Sequence, residues 1–158
     1  MEFGSTFENV GTGAIGTDIA DKINKVLRGE LSAVEAYDQV LESFSEEPET
    51  SLLLHFRTEH DDSVRELKAM IQHEGRDPSE DSGVWGTVVS AIIGAGKLFG
   101  NHAALVALKE GEERGLEDYE ALLQEDELGA EDRDIIRNKL IPRQEKHIAL
   151  LNQMAAMQ

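Results

Sequence analysis

The sequence predicts an all-α protein: a four-helix bundle of two antiparallel helical hairpins joined by a long crossover that contains a short helix. Three observations carry this. Four stretches hold apolar residues at alternating steps of three and four, the spacing of a seam buried along one side of an α-helix. A short link joins the first two stretches, and so short a link makes them antiparallel neighbours. The second half of the chain then repeats the first, helix for helix.

The first seam is Ile19, Ile23, Val26, Glu30, Ala33, Tyr37, Val40 and Phe44. Thr17 or Asp18 can cap its helix and Asp21 sits in the first turn. The helix runs to about Glu46, and Pro48 closes it. The second helix runs from about Ser51 to Glu74 on the seam Leu53, Arg57, His60, Val64, Leu67, Ile71, and Gly75 is its left-handed stop. Residues 75–100 form the crossover, with a short helix at about 84–98 and with Trp85, Ile92 and Ile93 packed on the core. The third helix, from about His102 to Gln124, carries Leu105, Leu108, Glu112, Gly115, Tyr119 and Leu122. Gly129 breaks the chain, and the fourth helix runs to about Met154 on Leu140, Gln144, His147, Leu151 and Met154. Pro142 lies inside this last helix, where it should kink it and free the Asn138 carbonyl.

Length and composition bound the rest. The chain has 158 residues, enough for one domain with a real core. Residues 1–16 read as a mobile arm in which Glu2-Phe3-Gly4-Ser5 looks like a cloning scar, and residues 17–156 as the domain. The absence of cysteine excludes disulfides, thiolate metal sites and cysteine nucleophiles. A net charge of -17 argues against nucleic acid or an anionic membrane as partner. With no apolar run of membrane length and no basic-then-apolar leader, the expected location is the cytoplasm. A P-loop, a dinucleotide fingerprint and a zinc-protease HExxH are all missing.

Gly29-Glu30, Glu35 and Tyr37 recur as Gly111-Glu112, Glu117 and Tyr119, and His60 recurs as His147 with its seam in register. Two hairpins, each with a seam glutamate and then a seam histidine, would bring Glu30, His60, Glu112 and His147 to one level of the core. A carboxylate buried there costs several kcal/mol unless something compensates it. Tyr37 and Tyr119 lie two turns from the glutamates of their own helices and read as core capping residues. Glu35 and Glu117 point ~140° away from those glutamates, to the outer surface. His55, His73 and His102 read as surface residues.

At this point the chain resembles the ferritin-like superfamily. Gly29-Glu30, Ala33 and Tyr37 look like the first-helix motif of rubrerythrin, and Gly111-Glu112 like its third-helix counterpart. Val84-Trp85-Gly86 and the run from Pro142 to His147 are similar to a bacterial ferritin-like family of unknown function. The resemblance covers about residues 17–156. It implies a ferritin-like four-helix bundle whose relatives hold two irons on two single glutamates and two Glu-x-x-His pairs. Glu30 and Glu112 match the single glutamates, and His60 and His147 match the histidines. The glutamates of the pairs fall on Arg57 and Gln144, and arginine cannot ligate a metal.

Two readings of these residues stay open. In one, Glu30, His60, Glu112 and His147 hold Fe, Mn or Zn, with Arg57 swung away or Glu59 recruited. In the other, no metal is held: Arg57 and Gln144 belong to a buried polar network in which Arg57 pairs with Glu30 and Glu112. The first suits an iron-handling protein or an oxidase or peroxidase of rubrerythrin type. The second suits a stress-associated, non-enzymatic bundle that forms a homodimer or docks a protein partner.

Overall fold

The computed structural model describes residues 18–46, 48–83, 90, 94, 96 and 98–158; among them helices are the only regular elements. The expected arm at residues 1–16, the Val84-Trp85-Gly86 run and Ile92 and Ile93 lie outside the described residues. In the crossover, Ser90, Gly94, Gly96, Leu98 and Phe99 are helical.

Helix α1 spans Ile19–Ser43, and the Asp18 carboxylate caps it by accepting from the Ala20 N–H at 2.9 Å. Helix α2 spans Thr50–His73. Gly75, at φ +72°, then turns the chain out, and the Arg76 N–H reaches back to the Ile71 carbonyl. Helix α3 spans Asn101–Leu123. Gly96 lies against its start: a Cβ there would sit 3.1 Å from the Ala104 backbone, so the close approach requires glycine.

The last rod is helical from end to end but not uniform. Helix α4 (Ala130–Ile135) passes into a π-helical turn (Ile136–Leu140) and then into α5 (Ile141–Ala156). Pro142 stands at the start of α5, and the Ile141 N–H bonds the Ile136 carbonyl. The expected kink thus takes the form of one widened turn. Shifting the hydrogen bonds to i→i−5 just before the proline accommodates its missing donor without ending the helix.

Side-chain pairs set the directions. Asp21 with Arg76, Glu30 with His60 and Tyr37 with Phe56 make α1 and α2 antiparallel. Lys22 with Glu125 and Tyr37 with Glu112 make α1 and α3 antiparallel. His102 with Ala155 and Glu112 with Gln144 do the same for α3 and α5. The four rods therefore run up, down, down, up. That order needs a connection about one helix long between α2 and α3, which residues 74–100 supply.

The core has two apolar ends. Ile23, Leu27, Leu67, Ile71, Leu122 and Ile136 pack at one, and Val40, Phe44, Leu53, Phe56, Leu105 and Leu151 at the other. Each such side chain contributes about 1.5–3 kcal/mol by leaving water. Between the two ends lies a layer of buried polar residues: Glu30, His60, Glu112, Gln144 and His147.

Candidate metal centre

Each rod delivers its polar residue to this layer by the seam spacing. Glu30 comes from α1, His60 from α2, Glu112 from α3, and Gln144 and His147 from α5; each is at most 4% exposed. His60 stands in the middle, with Nδ1 2.6 Å from Glu30 Oε2 and Nε2 2.9 Å from Glu112 Oε1. Both ring nitrogens face carboxylate oxygens, which calls for an imidazolium. Burial works against that charge, but Glu112 and Glu30 outweigh it and push the His60 pKa up to about 10. Burial also favours the neutral form of Glu112, yet His60 and His147 hold its carboxyl well below the usual range.

His147 Nδ1 lies 3.2 Å from the same Glu112 Oε1, and its Nε2 lies 2.7 Å from Glu59 Oε2. Glu59 is half-buried; its desolvation is outweighed by His147, and its pKa is lowered. Arg143 steadies this corner, donating to the Glu59 carbonyl, Ser63 Oγ and Asp62 Oδ2, each at 2.8 Å.

The tyrosines close the layer by crossing over. Tyr37 of α1 donates to Glu112 of α3, and Tyr119 of α3 donates to Glu30 of α1, each at 2.5 Å. Burial first, and the adjacent carboxylates second, raise both phenol pKa values well above 10, so both remain donors. The capping role expected from the sequence is corrected accordingly. Two turns along one helix is too far for a bond, but an antiparallel neighbour brings Tyr37 level with the other repeat's glutamate. The reciprocal positions of Glu30, Tyr37, Glu112 and Tyr119 in the repeat were the available signal.

Arg57 is also corrected. It does not join Glu30 and Glu112; it lies near the surface, donating to Asp38 Oδ1 at 2.8 Å and Asp61 Oδ2 at 2.6 Å. Leu53, Phe56, His60, Val64 and Leu67 satisfy the same steps of three and four, and the helix turns Phe56 inward. Burying an apolar ring and leaving a guanidinium among exposed carboxylates is the cheaper arrangement. Gln144 is buried as expected, its amide donating to the Glu112 backbone carbonyl at 3.2 Å. Glu35, Glu117, His55, His73 and His102 are exposed, as expected.

The repeat is not fully symmetric. The counterpart of the His60–Glu30 pair would join His147 to Glu112, and that contact forms. The other nitrogen of His147 turns to Glu59 instead of Glu30. The repeat position of Glu59 is Lys146, which carries the opposite charge, so only one hairpin can supply this carboxylate.

Two imidazole nitrogens, His60 Nε2 and His147 Nδ1, thus converge on one carboxylate oxygen. The three residues offer ligand atoms that lie within 4.8 Å of one another. Two imidazoles and a carboxylate are a donor set that suits one Zn, Fe or Mn ion. They do not suit the pair of irons that the resemblance implies, because the two bridging positions hold a surface arginine and an amide.

Residues 18–125 match a family described as a domain of unknown function, DUF2383, and the chain belongs to that family. The match spans α1 to α3, with Glu30, Tyr37, His60, Glu112 and Tyr119; His147 lies beyond it. No curated protein and no solved structure matches the chain.

Proposed function

We propose that this chain is a metal-binding bundle of the ferritin-like type, holding one divalent Fe, Mn or Zn ion on His60, His147 and Glu112. The observation that carries this is the convergence of His60 Nε2 and His147 Nδ1 on Glu112 Oε1. The up-down-down-up order of the rods and the buried polar layer at mid-height support the ferritin-like assignment. A bound ion would bring a Lewis-acidic centre into an apolar interior.

The surrounding residues have distinct tasks. Tyr37 and Tyr119 orient the two buried glutamates. Glu59 fixes the His147 ring through Nε2, leaving Nδ1 directed inward. Glu30 holds His60 through Nδ1 in the same way. Ligation through His60 Nε2 requires that nitrogen to give up its proton, so binding releases a proton and weakens as pH falls. No residue is assigned a catalytic role, and the function proposed is metal binding.

The test is elemental analysis after refolding separately with Fe(II), Mn(II) and Zn(II). About one ion per chain is expected for one of these metals. The ion should be absent from the His60→Ala/His147→Ala double variant, with helical circular dichroism retained. Wild-type protein that holds none of the three overturns the reading and leaves a closed polar network with His60 as its cation.

A further inference from the structure

The exposed large apolar side chains among the described residues are Leu54, Leu98, Phe99 and Met157, at 52%, 82%, 76% and 72% exposure. Scattered singly, such residues would be ordinary, but these four share one end of the bundle. It is the end where α1 and α5 finish and α2 and α3 begin. Leu98 and Phe99 lead into α3, Met157 follows α5, and Leu54 lies one turn into α2. Two hydrogen bonds knit these segments into one rim. His102 Nδ1 donates to the Ala155 carbonyl at 2.8 Å, and the Gln158 amide donates to Glu49 Oε1 at 3.1 Å. The approach to α3 is built rather than frayed: the Gly100 N–H bonds the Gly96 carbonyl at 2.8 Å, and Gly100, at φ +91°, turns the chain into the helix. The opposite end differs, for the loop between α3 and α4 tucks Leu128 into the core.

Charge supplies a second observation. The described parts of residues 39–55, 98–106 and 152–158 form this end, and they contain Glu42, Glu46 and Glu49 but no lysine or arginine. Lys97 lies outside the described residues. Glu42 and Glu46 are exposed with no cationic partner among the described residues, whereas Asp38, Asp61 and Asp62 are each paired with an arginine. A second copy of this chain fits such a surface poorly, because self-contact brings the same unpaired glutamates together between two chains of net charge -17. An anionic lipid surface is repelled on the same ground.

We propose that this end docks a cationic amphipathic segment of another protein, one that presents large apolar side chains beside lysine or arginine. Its apolar side covers Leu98, Phe99 and Met157, and its cations meet Glu42 and Glu46. Burial of the apolar side chains supplies the affinity, and the charges select the partner and speed its approach. The surface lies at the end of the bundle, away from the polar layer at mid-height, so it does not rest on the metal reading.

The test uses fluorescent peptides of equal length: an amphipathic leucine–lysine helix, its leucine–glutamate counterpart, and a serine–lysine peptide of the same charge as the first. Binding to the full chain is followed by fluorescence anisotropy at an ionic strength of about 0.15 M. The leucine–lysine peptide is expected to bind at least about tenfold more tightly than either control. The triple variant Leu98→Ser/Phe99→Ser/Met157→Ser leaves the charge unchanged and should lose at least about tenfold in affinity, with helical circular dichroism retained. Glu42→Gln/Glu46→Gln should also weaken binding about tenfold, while Asp126→Asn/Glu127→Gln, at the opposite end, should change it less than about twofold. A leucine–lysine peptide that binds no more tightly than a control, a triple variant that binds as tightly as wild type, or carboxylate changes at the two ends that weaken binding alike would each overturn the proposal. So would a wild-type dimer that the triple variant dissolves in sedimentation equilibrium, which would make a second copy the occupant. Wild type, but not the triple variant, sedimenting with phosphatidylglycerol vesicles would overturn it in favour of a membrane.

Discussion

Replacing His60 by glutamine in metal-free protein removes the cation that faces both Glu30 and Glu112. The folded ring holds its proton to about pH 10, against 6.5 for the unfolded chain. The difference corresponds to at most about 5 kcal/mol. The sign follows from the protons bound. Below pH 6.5 both states carry the proton and the contribution is complete. Between 6.5 and 10 the folded state binds one more proton than the unfolded state, so stability falls as pH rises. The slope is about 1.4 kcal/mol per pH unit, or about 3 kcal/mol between pH 7 and 9. His60→Gln should therefore be about 3–5 kcal/mol less stable than wild type at pH 7, because two carboxylates lose their counter-charge. It should also lack most of the slope. Urea unfolding followed by circular dichroism at pH 6, 7, 8 and 9 measures both quantities. Wild type and variant losing stability in parallel from pH 7 to 9 would refute His60 as the buried imidazolium.

Other variants test the parts around it. Tyr37→Phe and Tyr119→Phe each strip a buried carboxylate oxygen of its phenol donor, and urea unfolding should show each costing about 1–3 kcal/mol, with Tyr119→Phe the costlier because Glu112 Oε1 keeps His60 and His147 whereas Glu30 Oε1 loses Tyr119. Gly111→Ala meets no neighbour and should stabilise by about 0.5–1 kcal/mol; Gly115→Ala, whose Cβ would collide with the Gln144 amide, should show no such gain in the same assay. Asp62 is held below its ordinary pKa by Arg143 first and Lys139 second. Its contribution is present above pH 3.8, is lost as pH falls, and should shrink in Arg143→Ala when acid unfolding is followed by circular dichroism.

Much of the architecture was legible from local patterns. Asp18 capped the first helix, Gly75 ended the second and Gly129 preceded the fourth, because caps and left-handed stops depend on a few adjacent residues. Glu30, His60, Glu112 and His147 met at one level because the repeat carries their seam positions in register. The response to Pro142 was less legible: a missing donor specifies that the helix must adjust, but not whether it bends or widens by a turn.

By itself the sequence determined that the chain is helical, where the long helices start and stop to within a few residues, and that two acids and two imidazoles share the interior. Those properties follow from backbone hydrogen bonding and from the periodic separation of apolar from polar side chains. Which groups answer the buried charge was decided only by tertiary structure. A seam of threes and fours admits neighbouring phases, so the rotation of α2 chose Phe56 over Arg57 for the core and left His60 as the cation. Tyr37, Tyr119 and Glu59 joined for the same reason: their partners lie on other helices, at heights set by how antiparallel rods come to rest against one another.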